Sequence, residues 1–521
     1  MRRQDIQLLA SARQGDIAAR CEVGRRYLLG IEGFPHHVAT GLDHLGHPNV
    51  KDLPAAAKII AESLPLEQLL ALQQDKALVQ AAQAGSTIAQ AKLSAWESLC
   101  RGRTDGLDAA LASGAGIDAA AVALIAARRA FASGELDAVA ACLRNALALS
   151  PDLTHELSEL VVGAVCLAEE RGQPLRGIAA EPIRTSLELC ASHGDRAAAY
   201  ALGRGLCGIA CAAWDESVFA DSLNMRKGVA FLLRAADAGC DDAWLHLYEL
   251  HAHHRLSVAN PQLARFFLEK AAARGQSQAQ RKLGALMLRE STSLAESEPA
   301  IEWLHQAARQ GDTAAQELLH SLVLPVQGRD EDASSAIEQV RRTDLWLAVR
   351  LELARDFGLT KLEALCVDPA QGLRPWGLVV GKNPFITQAR LSAPRAVPAV
   401  SDAALAAARR AASFFGHAGR DAGAAEGDLR RRSMRLRRAL ERHGLDDSMF
   451  FANASSTTLE SLRLGPKWAF RAKQPLRKAL ASAGPGDQSS EARARPTAVV
   501  QLNKRRAAAE PAPRSRASSA A

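Results

Sequence analysis

The sequence predicts a mainly α fold, an α/α solenoid of antiparallel helix pairs followed by a smaller, mostly helical C-terminal domain with a short β-like stretch. Three observations carry this. The pair Ala235-Ala236 recurs 36 residues later as Ala271-Ala272 and after the same step as Ala307-Ala308, and Gly239, Gly275 and Gly311 keep that spacing. Three further columns hold the register: Phe231, Phe267 and Trp303; Ala243, Ala279 and Ala315; Leu247, Leu283 and Leu319. A fixed period of roughly 20 to 50 residues signals a solenoid. Composition agrees, because 48% hydrophobic with only 4% aromatic residues suits an alanine-rich helical stack, and 521 residues exceed what one core usually supports.

Each column has a physical role. An aromatic, then Ala-Ala, then Gly reads as one helix whose large residue fills the core, whose small residues allow close approach, and whose end is closed by a left-handed glycine. Asp241-Asp242, Ser277 and Asp312 follow the glycines, with side chains able to accept hydrogen bonds from the first turn of a new helix. The loops between repeats end in Asn260-Pro261 and Glu298-Pro299, where proline suits the first turn of a returning helix. Two antiparallel helices per repeat result.

These columns resemble the Sel1-like repeat, a relative of the tetratricopeptide repeat. Phe231 to Gly239, Phe267 to Gly275 and Trp303 to Gly311 match its closing helix with Ala-Ala-x-x-Gly, and Ala279 with Leu283-Gly284 matches its A-x-x-x-L-G opening. Degenerate copies lie upstream: Gly194 with Asp195, Ala198 and Leu202-Gly203; Gly85 with Ala81-Ala82, Ser86, Ala89 and Leu93; Gly15 with Asp16, Ala19, Val23-Gly24 and Tyr27. Ala126 to Pro151, with Gly134, Leu143 and Ala146, looks like a single tetratricopeptide unit. The expected organisation is degenerate Sel1-like repeats over 1–110, tetratricopeptide-like hairpins over 111–180, a Sel1-like solenoid over 181–325, a basic C-terminal domain over 340–482 and a disordered tail over 483–521. A longer loop is expected around Trp214 to Leu223, and the columns set no register between 30 and 75. The resemblance implies a non-enzymatic adaptor that grips a protein or peptide, with no cofactor and no metal. Stacked helix pairs offer a long concave surface for such a role.

Charge is unevenly spread. Residues 341–521 hold 32 Lys and Arg against 16 Asp and Glu, net +16, leaving net −9 on residues 1–340. That polarity suits an anionic partner such as nucleic acid, or pairing of the two parts with each other. No run of about 18 apolar residues exists, so no membrane span is expected. The N-terminus has two arginines but no sustained apolar core, so no secretory signal is read there. Nine scattered cysteines, an odd number, suit a reducing compartment, and the expectation is a cytoplasmic protein.

The repeat pattern stops near Leu324-Pro325, and Gln327 to Ser335 reads as a connector. Helices are then expected over Asp344 to Phe357, Ala403 to Phe415 and Asp428 to Arg442, with the short segment Leu362 to Val367 following the first of them and Pro466 to Ala481 closing the block. Gly377-Leu-Val-Val-Gly381 with Phe385-Ile386 is the one β-like run. Gly377 to Asn383 invites comparison with a phosphate-binding loop and fails it, because the glycine spacing is one short, Asn383 replaces Ser or Thr, and Pro384 blocks the helix start.

Candidate chemistry is sparse. Cys366 beside Asp368, with His417 or His443 as base, outlines a nucleophile site, the alternative being an enzymatic C-terminal domain regulated by the solenoid. No catalytic residue is assigned, because a lone cysteine more often packs as a small apolar residue. His251, His253 and His254, with His246 on the same expected helix, lack the HExxH or paired Cys-x-x-Cys spacing of a metal site, and the group reads as a solvated loop between repeat helices, while Cys207 and Cys211, four apart on one helix, read as small core residues. The best lead is basic. In Leu429 to Leu440, the positions Leu429, Ser433, Leu436 and Leu440 line one stripe and leave Arg430, Arg431, Arg435, Arg437 and Arg438 outward. Lys467, Arg471 and Lys473, with Arg477 and Lys478, follow beside Trp468 and Phe470. An arginine-faced amphipathic helix suits nucleic acid, an acidic protein or anionic lipid.

Overall fold

The computed structural model describes residues 3–112, 116–381, 394–418, 426–462 and 466–481, in two compact units whose described parts run 3–243 and 244–481. Among the described residues the first unit is a succession of helices. They are α1 (Arg3–Arg13), α2 (Ile17–Leu29), α3 (Val38–Leu45), α4 (Pro54–Ser63), α5 (Leu66–Ala71), α6 (Asp75–Gln83) and α7 (Thr87–Cys100). Then come α8 (Asp105–Ala112), α9 (Ala119–Ser133), α10 (Leu136–Leu149), α11 (His155–Arg171), α12 (Ala180–Ser192), α13 (Arg196–Cys207) and α14 (Met225–Asp237). Most pack on a sequence neighbour, as in α1 on α2, α6 on α7, α9 on α10 and α13 on α14. Residues 30–75, where the columns set no register, form α3 to α5 and the loops between them. The loop around Trp214 to Leu223 buries Trp214 against Phe219, ring centroids 5.3 Å apart.

The restart signals act as the sequence implies. Asp16, Ser86 and Asp195 cap α2, α7 and α13, accepting from Ala19, Ala89 and Ala198 respectively. The glycine of the Leu-Gly column serves a second purpose. A Cβ on Gly203 would lie 2.8 Å from Leu232 Cγ and 3.1 Å from the Gly228 carbonyl, and one on Gly24 would meet Leu45 and Gly41 in the same way. Only hydrogen fits where consecutive helices cross so closely.

The second unit takes the end of α15 (Asp241–Ala252) from Trp244 onward, then α16 (Pro261–Ala273), α17 (Ser277–Glu290), α18 (Leu294–Arg309) and α19 (Thr313–His320). Gly275 and Gly311 end α16 and α18 at φ of +85° and +89°, and Ala279 and Ala315 four residues on are 0% exposed. Ala243 is likewise fully buried. Gly284 repeats the crossing, its Cβ position 2.7 Å from the Ala300 carbonyl and 2.8 Å from Leu304 Cγ. Asp312 caps α19 through the Ala315 N–H. Two expected details differ. Ser277 is the first residue of α17 rather than its cap, and the side chain of Gln276 in the cap position accepts no capping hydrogen bond from the first turn. Pro299 lies inside α18, because Ser293 caps that helix a turn earlier, accepting from Glu296 while the Glu296 carboxylate takes the Thr292 N–H.

Beyond the repeats run α20 (Asp330–Arg341), α21 (Leu345–Asp356), α22 (Lys361–Cys366), α23 (Pro369–Gly372), α24 (Asp402–Ala418), α25 (Leu429–His443), α26 (Ser456–Ser461), α27 (Pro466–Arg471) and α28 (Lys473–Leu480). The connector expected over Gln327 to Ser335 is half helix, since three acids, Asp330, Glu331 and Asp332, favour the N-terminal turn of α20. Strands β1 (Leu373–Arg374), β2 (Gly377–Val380) and β3 (Arg395–Pro398) form one antiparallel sheet with Leu378 opposite Val397 and Val379 opposite Ala396. Both faces are covered. Leu378, Val380 and Val397 join a core with Leu347, Phe357, Leu405, Phe415, Leu436 and Phe450, while Val379, Ala396 and Trp376 join Leu288, Leu304 and Leu318 of the last repeats. An unbroken Leu-Val-Val run is what a strand buried on both faces requires. The repeats and the block expected over 340–482 therefore share one wall. Phe385-Ile386 and the tail 483–521 lie outside the described residues.

Candidate functional site

Two surfaces of the second unit gather chemistry: a groove on the repeats and a row of arginines. The groove lies between α17 and α19, and α28 occupies it. Trp468 of α27, Ala472 at the junction, and Leu476 and Ala479 of α28 follow one another at helical spacing and pack into a core with Ala285, Leu288, Ala315, Leu318, Leu319 and Leu322. The opposite side of α28 presents Lys473, Gln474, Arg477 and Lys478 to solvent. Arg281, only 7% exposed, reads the end of the helix: Nε donates to the Ala479 carbonyl at 3.0 Å and an Nη to the Ala481 carbonyl at 3.2 Å. Its other Nη meets the buried carboxylate of Asp312 at 2.9 Å. Cationic donors favour the carbonyl end of a helix, where partial negative charge accumulates. At the rim, Lys478 pairs with Glu317 at 2.6 Å. None of these roles was assigned from sequence, although the stripe at spacings of 4, 4 and 3 is visible there.

In α25 the outward stripe differs from expectation. Arg432, Leu436 and Ala439 are buried and Ser433 is exposed, so the buried face is rotated to include an arginine. Arg432 and Arg350 share the buried carboxylate of Glu426, at 3.0 and 2.6 Å. Arg350 also donates to the Ala364 and Val367 carbonyls and Arg432 to that of Leu365, all at the C-terminal end of α22, while Arg432 Nε reaches the Gly427 carbonyl. Burial, with Arg350 alongside, pulls Arg432 below its ordinary value. Arg435 binds both oxygens of Asp344, which also caps α21. Arg437 pairs with Glu441 on the surface. Arg430, Arg431 and Arg438 are exposed and form no ion pair among the described residues. No arginine of α25 pairs with an acidic repeat residue among the described residues; the partners found, Asp344, Glu426 and Glu441, all lie outside the repeats. Arg471 donates to Ser461, Lys473 is exposed, and Phe470 beside them is 81% exposed. Lys467 is in α27, its side chain outside the described residues.

The catalytic candidates are dispersed in role. Cys366 is buried beside Arg432 and Arg350, and burial pushes its thiol up despite both cations. Asp368 caps α23, and His417 is exposed on α24, its Nδ1–H donating to the Ser413 carbonyl at 2.6 Å. His443 ends α25. The histidine group is not one loop. His246 and His251 are helical, His251 is buried with Nδ1–H donating to the Leu247 carbonyl at 2.9 Å, and only His253 and His254 follow the helix. Cys207 ends α13 at the left-handed Gly208, which places Cys211 beyond the helix, where its thiol donates to Glu169. Glu169 also takes Arg204 at 2.8 Å; burial pushes this carboxyl up, and these donors outweigh it and hold it below the usual range. An open notch of about 310 Å³ is lined by His305, Arg309, His320 and the start of α24. Among the described residues no group of three or more His, Cys, Asp or Glu is placed to hold a metal ion, and no helix is long and apolar enough to cross a membrane.

No family model matches the chain, and no curated protein matches it. Among solved structures it is similar to a Sel1 repeat protein from Oxalobacter formigenes, at 21% identity and a TM-score of 0.25, covering 59% of this chain and 87% of that one. It is also similar to a protective antigen of uropathogenic Escherichia coli displaying an SLR fold, at 16% identity and a TM-score of 0.23, covering 94% of this chain and 99% of that one. What the structure adds to the resemblance is internal: the Ala-Ala-x-x-Gly helix end, the capped restart and the Leu-Gly crossing recur in the described repeats.

Proposed function

We propose that the protein is a cytoplasmic, non-enzymatic adaptor whose Sel1-like repeats grip a protein or peptide partner. The observation that supports this most directly is α28 seated on α17 and α19, since the same face that would hold a partner helix holds one here. Absence of catalysis is supported by the setting of Cys366, whose neighbours are cations engaged in a structural network. Immobilised full-length protein should retain a small, reproducible set of proteins from cell lysate beyond those held by an unrelated helical repeat. Retention of nothing specific would overturn the reading.

A second reading concerns anions. Exposed Arg430, Arg431, Arg437 and Arg438, with Arg471 and Lys473 and with Lys467 nearby in sequence, suit nucleic acid or an acidic protein, whereas Arg435 is engaged with Asp344. Salt-dependent binding of a random-sequence duplex tests it.

A further inference from the structure

We infer that the α17–α19 groove is a receptor for a basic amphipathic helix and that residues 466–480 are its resident but imperfect ligand, which a partner helix of the same chemistry displaces. This rests on the adaptor reading and names its partner class. Three observations support it. The groove is self-contained as a helix site: an apolar floor of Ala285, Leu288, Ala315, Leu318 and Leu319, an arginine that binds the terminal carbonyls, and an acidic rim at Glu317. Its occupant matches by charge, with Lys478 on Glu317 and Lys473 and Arg477 outward. The match has a flaw. Trp468 is fully buried, yet its indole Nε1 has no hydrogen-bond partner among the described residues, and a buried donor left unpaired costs free energy that an apolar group of similar shape avoids.

A helix carrying Phe or Leu in the Trp468 position, small or aliphatic residues four, eight and eleven places on, and lysines or arginines outward should therefore bind better than the resident segment. Arg281 gives the site direction. It reads carbonyls that only the C-terminal end of a helix leaves open, so the partner enters with its C-terminus at Arg281.

The test uses the full chain and a fluorescein-labelled synthetic peptide of residues 466–481 carrying Trp468→Phe. Leu476→Glu in the protein places a carboxylate on the apolar floor and should free the groove. Anisotropy should show the peptide binding this variant at least tenfold more tightly than the unaltered protein, and adding Arg281→Ala should weaken it at least fivefold. A folded L476E protein, judged by circular dichroism, that leaves the peptide unbound overturns the inference, as does equal binding to both proteins. Should L476E fail to fold, hydrogen exchange on the unaltered protein decides: amides of 473–480 should exchange at least tenfold faster than those of 277–290, and equal protection overturns the displaceable ligand. Lysate capture that persists unchanged in L476E defeats the groove while leaving the adaptor reading standing.

Discussion

Within the second unit, the repeats from Pro261 to His320 and the block from Asp330 to Phe451 bring helices together by different means. Apart from the Arg281–Asp312 pair, the repeats use absence of side chain: Gly284 lies against the Ala300 carbonyl, and Ala271, Ala279, Ala307 and Ala315 are fully buried. The block uses buried charge. Arg350 and Arg432 converge on Glu426, and Arg395 binds Glu363, whose carboxylate also takes the Thr360 N–H in a capping box. The first means depends on volume and tolerates almost no added atom. The second depends on pairing, so it fails when one partner is neutralised even if volume is kept.

The largest effect should therefore come from Glu426→Gln. It is nearly isosteric, yet it leaves two buried guanidinium groups without their shared anion, and breaking such a pairing costs about 3 to 5 kcal/mol. Urea unfolding followed by Trp fluorescence checks it. A loss under about 1 kcal/mol would mean that the carbonyls of α22 suffice, in contrast to the cost expected for an uncompensated buried charge.

In the repeats the corresponding test adds volume. Ala279→Trp should overpack a fully buried position at a cost of about 1 to 3 kcal/mol or more, and Gly284→Ala should cost about 1 to 3 kcal/mol because its new carbon meets backbone. Gly275→Ala separates crowding from backbone strain. Nothing lies within 4 Å of its Cβ position, so only the φ of +85° is penalised, by about 1 to 2 kcal/mol. Unchanged melting of A279W would remove the repeat assignment, and G284A matching G275A would show that the crossing can relax.

The same contrast explains what could be read from the sequence. A helix end, its cap and the next core alanine sit within ten residues, so Gly275, Ala279 and Leu283 announce the repeat by spacing alone. The buried-charge contacts are distant: Arg350 and Glu426 are 76 residues apart, and Arg281 and Ala479 are 198 apart. The stripe of Leu429, Ser433, Leu436 and Leu440 gives Arg432 no role, because hydropathy treats every arginine as solvent-seeking, and only the placement of Glu426 decides which one turns in. The groove was hidden for a related reason. Its occupant lies at the far end of the chain, and a stripe of Trp468, Leu476 and Ala479 shows that a face is buried, not against what.

Acid in the block supplies a smaller, pH-dependent test. Burial at the end of α21, with Glu352 and Asp330 near, raises Asp356 from 3.8 to about 6, against the opposing pull of Arg410 and Arg355. A raised carboxyl favours the protonated folded state, so stability is greatest below its ordinary value and is lost as pH climbs from about 4 to about 6. Asp356→Asn should then stabilise the protein by about 1 to 2 kcal/mol at pH 8, after allowance for partial exposure, and change little near pH 4. Equal effects at both values would show that the carboxyl titrates normally.

The smallest effect on stability belongs to the arginines that face outward. Arg430, Arg431 and Arg438 have no ion pair among the described residues, so replacing all three by Glu should move stability by no more than about 0.5 kcal/mol per site, unlike any change at Arg432. Their consequence should appear in binding. Six exposed cations, these three with Arg437, Arg471 and Lys473, would release counterions if all of them met a duplex, and affinity should then fall roughly a thousandfold between about 50 and 200 mM salt. Full-length protein is the proper sample, because a fragment from 340 onward would strip the sheet of its repeat-side cover and expose Trp376 and Ala396. Loss of binding in the triple variant with unchanged unfolding would assign these cations to an anionic partner. No binding by the unaltered protein at about 50 mM salt would remove nucleic acid and leave an acidic protein surface as the counterpart, since these side chains pair with no acidic repeat residue among those described.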